Sequence, residues 1–138
     1  MIIDSKLAIV KLMKKISILI VEDDLVFCKL LKTYLSRHDF TVIITQDSVS
    51  ARENFKTHNF DYMLLDYRLP GCSALDLISE MKNSTNKSKL ILMSRILDEN
   101  LIFEAQSLGV QHFLKKPFNP KELITLFQQT SISRVCSS

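Results

Sequence analysis

The sequence predicts an α/β fold in which a parallel sheet is wound on both faces by helices. Three observations carry that expectation. Five short apolar runs alternate without interruption with five amphipathic segments, the pattern of consecutive βα units. The runs are apolar throughout rather than every second residue, as strands buried on both faces are. Several of them end abruptly in an acid, a hydroxyl or a lysine, which places polar chemistry at one edge of the sheet.

The first strand is read over Ile16-Ser-Ile-Leu-Ile-Val21, closed at once by Glu22-Asp23-Asp24. Leu25, Cys28, Leu31 and Leu35 then recur at helical spacing with Lys29, Lys32 and Arg37 between them, predicting an amphipathic helix over 25–37. Phe40 to Ile44 reads as the second strand, and Asp47 to His58, with Ala51 and Phe55 four apart, as the second helix. Tyr62-Met-Leu-Leu65 repeats the logic of the first strand and ends at Asp66. A loop with the turn signal Pro70-Gly71 follows, and Ser73, three residues before Asp76, caps a third helix reaching about Met81. Leu90-Ile-Leu-Met93 is the fourth strand, ending at Ser94. Asp98 caps a helix that Gly109 stops after Leu108. Gln111 to Leu114 is the fifth strand, ending at Lys115-Lys116-Pro117. Asn119, Pro120 and Glu122 supply the cap, first position and box of a last helix to about Gln129.

At 138 residues, 46% hydrophobic and 24% charged, the chain has the material for one domain with a real core. The organisation expected is an extension over 1–15, helical or disordered, a domain over 16–129 and a tail over 130–138. No uninterrupted apolar run is long enough for a membrane span, so a soluble protein is expected. The three cysteines, Cys28, Cys72 and Cys136, lack the spacing of a zinc knot or disulfide framework, which fits a reducing cytoplasm. The net charge of +3 resides in the first fifteen residues, where Lys6, Lys11, Lys14 and Lys15 face only Asp4. The neutral remainder argues against direct nucleic-acid binding.

One acid at a strand end says little, since turns and caps use Asp freely. Glu22, Asp23 and Asp66 with Ser94 and Lys116, all expected at one sheet edge, say more. Carboxylates gathered together repel unless a cation joins them, and oxygen-only donors point to a hard one, Mg²⁺. Lys116 then complements a phosphoryl group, and Ser94 offers it a short donor.

These residues, in this order, resemble the response-regulator receiver family from about Ile16 to Gln129. The resemblance rests on Val21-Glu22-Asp23-Asp24, on Asp66 with Pro70-Gly71 after it, on Ser94, on Gly109 with Phe113, and on Lys116-Pro117-Phe118. It implies a flavodoxin-like (βα)₅ sandwich, doubly wound, with strand order 2-1-3-4-5. Glu22 and Asp23 would form the acidic pocket, Asp66 would be the nucleophile and the backbone carbonyl of Arg68 a further Mg²⁺ ligand. Lys116 would contact the phosphoryl group, aided by a cis bond to Pro117, and Ser94 and Phe113 would be coupled switch residues. The implied function is a stand-alone phosphorylation switch of a two-component phosphorelay. A sensor histidine kinase or histidine phosphotransfer protein donates to Asp66, and the chain catalyses only its own phosphorylation and dephosphorylation. Output passes to a downstream protein by contact, from a monomer or weak dimer.

Some residues depart from the family pattern. Arg95 follows Ser94 where a very small residue is usual, and its guanidinium is expected to cover the site or pair with the acidic pocket, to compete with Mg²⁺ in the resting state and later to shield the acyl phosphate from water. Ala74 stands where glycine is common, Arg68 is a second cation at the rim, and Glu22 in place of aspartate is expected to change little. Phe113 reads equally as a plain core aromatic, Cys28 and Cys72 as packing or loop residues, and His38, His58 and His112 as scattered and non-catalytic. Two other functions are compatible with the residues: a Mg²⁺-dependent phosphohydrolase using Asp66, and a receiver-like scaffold, never phosphorylated, with Arg95 filling the site.

Overall fold

A computed structural model describes residues 15–82 and 87–136. The expected extension, apart from Lys15, lies outside the described residues. Five parallel strands, β1 (Ile16–Val21), β2 (Phe40–Thr45), β3 (Tyr62–Asp66), β6 (Lys89–Ser94) and β7 (Val110–Lys115), form one sheet in the order β2-β1-β3-β6-β7. Counted without the two-residue strands β4 (Arg68–Leu69) and β5 (Cys72–Ser73), that is the expected order.

Successive side chains leave a strand on opposite faces, and here both faces are buried. Ile18, Ile20, Leu64, Ile91, Met93 and Leu114 point to the side covered by α1 (Leu25–Ser36) and α5 (Pro120–Cys136), against Cys28, Leu31, Leu35, Leu123 and Phe127. Leu19, Val21, Met63, Leu65, Leu92 and Val110 point to the side covered by α2 (Ser48–Thr57), α3 (Ala74–Met81) and α4 (Glu99–Ser107). Truncating any of the fully buried central residues, such as Leu64 or Leu92, costs about 2–5 kcal/mol on general grounds. That need for two apolar faces explains why the strand sequences show no polar alternation.

The helix starts are chemically specified. Asp47, Ser73 and Asp98 accept the backbone N–H of Ser50, Asp76 and Leu101 at 2.8, 3.3 and 2.8 Å, each satisfying one orphan donor of a first turn. At α5 the box is reciprocal: Lys121 N donates to Asn119 Oδ1 at 3.0 Å, and Asn119 N to Glu122 Oε2 at 3.2 Å.

Two elements differ from the sequence expectation. The last helix continues to Cys136 instead of ending near Gln129, because residues 130–136 contain no glycine or proline to stop it; most of the expected tail is helix. The loop after Asp66 carries a short antiparallel ribbon, with Arg68 paired to Ser73 and Leu69 to Cys72. Pro70 followed by Gly71 at φ +86° supplies the tight turn that closes it.

The chain leaves β1 to form β2 on one side and returns to place β3 on the other, so the crossover direction reverses between β1 and β3. A crevice outside the carboxyl ends of the strands is the expected place for a ligand in such a sheet.

Candidate functional site: an acidic pocket at the sheet edge

That crevice is a cavity of about 630 Å³ whose walls include Glu22, Asp23, Asp66, Arg68, Ser94, Arg95 and Lys116. The strand register brings these residues together. Val21 lies opposite Leu65 and Asp66 opposite Met93, so Glu22 and Asp66 leave adjacent strands at nearly the same level. Ser94 lies opposite Lys115, which puts Lys116 just beyond it. Backbone bonds pin the edge: Tyr67 N donates to Met93 O and Lys116 N to Ser94 O, both at 2.8 Å, and Glu22 N to Thr45 O at 2.9 Å.

Glu22, Asp23 and Asp66 each offer a carboxylate oxygen, and these oxygens lie within 4.8 Å of one another. Glu22 is 2% exposed and Asp66 9%, whereas Asp23 faces solvent. Lys116 supplies the counter-charge: its Nζ donates to Glu22 Oε1 and Oε2 at 2.8 and 2.9 Å and stands 3.1 Å from Asp66 Oδ1. Burial pushes the Glu22 carboxyl up to about 7, and the neighbouring Asp66 adds to the rise against the opposing pull of Lys116. For Lys116, burial works to lower the ammonium, but its bonds to Glu22 and Asp66 outweigh it and hold it above the ordinary lysine value. Three carboxylates thus share one lysine in the pocket. An all-oxygen donor set with a solvent-facing side fits a hard divalent ion, and Mg²⁺ suits the residues present.

The glutamate at position 22 matters more than the sequence suggested. Its longer side chain lets both oxygens grip Lys116. Arg95 departs from expectation in the opposite direction. It lies on the cavity wall but is exposed, and it makes no ion pair with the carboxylates among the described residues; Lys116 holds that role. Ser94 is buried, and its hydroxyl donates to Ile96 O at 2.8 Å and accepts from Ile96 N at 3.3 Å, turned into its own loop. Phe113 is half-buried against the core on the α4 side. The Lys116–Pro117 bond is cis, and Ala74 is wholly buried at the first turn of α3, its N–H bonded to Tyr67 O at 2.9 Å.

Three supporting residues escaped the sequence reading. Asp24, grouped there with the acids, caps α1 by accepting from Phe27 N at 3.1 Å; an Asp three residues before a helical N–H is the signal that marks it. Thr45 is buried and donates its hydroxyl to Ile20 O at 3.1 Å, steadying the strand end that carries Glu22. Cys28 lies beneath the site with its thiol donating to Glu22 O at 3.4 Å, a contact that no spacing rule announces.

Comparison with known proteins agrees with the geometry. Residues 18–128 match the response regulator receiver domain family. The response regulator GtcR of Aneurinibacillus migulanus is 30% identical over 112 residues, covering 81% of this chain and 46% of the relative. The aerobic respiration control protein ArcA of Escherichia coli K12 is 29% identical over 117 residues, covering 85% of this chain and 48% of the relative. This chain therefore spans about half the length of these relatives. A CheY-like receiver domain protein from Methanospirillum hungatei superposes with a TM-score of 0.80 at 20% identity, over 89% of this chain and 98% of that one, a likeness of fold. With the family matched over most of its length, the chain belongs to the response regulator receiver domains of two-component signalling.

Proposed function

We propose that this protein is a phosphorylation switch in which Asp66 accepts a phosphoryl group with Mg²⁺ bound by Glu22, Asp23, Asp66 and the backbone carbonyl of Arg68. The observation that carries the reading is the placement of Asp66: a buried carboxylate 3.1 Å from Lys116 and within 4.8 Å of two further acids. A carboxylate held between a cation and a cation-seeking cluster is an activated nucleophile for phosphorus.

An Asp66 oxygen forms the new bond to phosphorus as the bond from phosphorus to the donor histidine nitrogen breaks, and the imidazole leaves with its electron pair. Bound Mg²⁺ would neutralise charge on the transferring group. Lys116 does the same from the opposite wall, and Glu22 aims it. The donor is the phosphohistidine of a sensor kinase or of a phosphotransfer protein, in the cytoplasm. The added charge draws on Ser94 and Lys116, and with Phe113 biases the surface of α4, β7 and α5 toward a downstream protein. The blocked-scaffold alternative loses its motivation, since Arg95 does not fill the pocket. A phosphohydrolase needs an acid/base group beside the nucleophile, and Arg68 stands two residues past it.

The test is intact-mass analysis of the full chain after incubation with acetyl phosphate and Mg²⁺, with the modified peptide mapped. One phosphoryl adduct at Asp66, absent from Asp66→Asn, is expected. An adduct that persists in Asp66→Asn would overturn the assignment.

A further inference from the structure

In the resting state the Lys116 and Ser94 donors beside Asp66 are already engaged. An ammonium has three N–H donors, and those of Lys116 face Glu22 Oε1, Glu22 Oε2 and Asp66 Oδ1 at 2.8, 2.9 and 3.1 Å. The Ser94 hydroxyl is engaged with Ile96. A phosphoryl group on Asp66 would bring three strong acceptor oxygens, and Lys116 and Ser94 can meet them only by giving up these resting partners.

Arg95, by contrast, is exposed and unengaged among the described residues. It lies on the wall of the same cavity, and its five guanidinium N–H donors have no hydrogen-bond or ion-pair partner among the described residues. Its backbone is nonetheless fixed. Met93 O and Ser94 O, just before it, accept from Tyr67 N and Lys116 N at 2.8 Å, and the Ser94 hydroxyl bonds both polar backbone groups of Ile96 just after it. A free cationic side chain is thus anchored between the loop of the nucleophile and the loop of the lysine. A planar guanidinium meets two phosphate oxygens at once, a geometry the compact ammonium of lysine cannot reproduce.

We infer that Arg95 is a phosphoryl-binding residue, which pairs with the group once it is on Asp66 and lengthens the life of the acyl phosphate. The inference rests on the reading of Asp66 as phosphoacceptor. In the loss step a water oxygen attacks phosphorus, the bond from phosphorus to the Asp66 oxygen breaks, and inorganic phosphate and a proton leave. Arg95 keeps all its protons throughout. It acts by occupying the phosphoryl oxygens and the solvent face from which water must approach. The role belongs to the phosphorylated state, so metal binding in the resting state is left alone.

The experiment follows the decay of the adduct by intact mass in the full chain phosphorylated with acetyl phosphate and Mg²⁺. Parent, Arg95→Ala, Arg95→Lys and Lys56→Ala are compared, Lys56 being an exposed cation in the last turn of α2, outside the cavity lining. Arg95→Ala should decay about tenfold faster, the scale of one lost hydrogen bond between charged groups. Arg95→Lys should recover part of the lifetime, and Lys56→Ala should match the parent. A second readout needs no turnover: with beryllofluoride and Mg²⁺ the Arg95 Nε–H resonance should shift and become protected from exchange. Equal lifetimes for parent and Arg95→Ala, with an unshifted Arg95 resonance, would overturn this inference while leaving Asp66 as acceptor. Absence of any adduct on the parent would overturn both.

Discussion

Replacing Lys116 with methionine should produce a loss of stability that depends steeply on pH. Methionine keeps an apolar stem against the Phe27 ring, over which the Lys116 ammonium stands at 5.4 Å, so packing is largely conserved and the charge is removed. In the parent, Glu22 is raised from 4.5 to about 7, which corresponds to about 3 kcal/mol between its two protonation states. Because the folded-state value is raised, the stability contributed by Glu22 is complete below about 4.5 and is lost as pH rises through about 7. Without Lys116 the main lowering influence disappears, the carboxyl rises further, and two buried acids are left without a partner. At about pH 8.5 the variant should be less stable than the parent by about 3–5 kcal/mol, the cost of removing one member of a buried pair. At about pH 5.5 Glu22 is protonated in both proteins, and the gap should shrink to about 1–2 kcal/mol. Urea unfolding of the full chain at the two pH values, without divalent ions, measures both differences. A pH-independent gap, or none at the higher pH, would refute the account of Glu22 as a carboxyl raised by burial and restrained by Lys116.

Two further expectations follow from the same geometry. Mg²⁺ should stabilise the protein against urea by about 2.7 kcal/mol at a hundredfold excess over its Kd, and more weakly at acid pH, where protons compete for Glu22; stabilisation that does not weaken below about pH 6 would contradict Glu22 as a ligand. Asp98→Ala should cost about 1 kcal/mol through loss of the bond to Leu101 N, and an unchanged thermal midpoint would show that α4 does not depend on its cap.

The fold was legible because each level of the sequence agrees with the next. The apolar runs are continuous where strands have two covered faces, and Asp47, Ser73, Asp98 and Asn119 announce helix starts by chemistry that acts within four residues. The identity of the site residues was legible for a similar reason: the carboxyl ends of parallel strands share one edge, so order along the chain places Glu22, Asp66, Ser94 and Lys116 together. Partner choice was not legible. Whether Lys116 or Arg95 neutralises Glu22 depends on side-chain direction, and the sequence favoured the cation nearer in chain position to the switch hydroxyl. The extra turns of α5 were missed because their only signal is the absence of a breaker. The ribbon of β4 and β5 was missed because two residues are too few for any periodicity.

The thiol beneath the acidic pocket has a use of its own. Cys28 is wholly buried, donates to Glu22 O at 3.4 Å, and is pushed up to about 11 by burial and by the acids around it. Alkylating reagents attack the thiolate, so in the native state Cys28 is both out of reach and in the wrong protonation form. Only an excursion that lifts α1 from β1 uncovers it, and Cys72, half-buried in the β5 ribbon, marks a separate region. Slow labelling at Cys28 therefore acts as a stopwatch for the breathing of the floor under the site. A cation or phosphoryl group seated above should slow that stopwatch without ever touching sulfur.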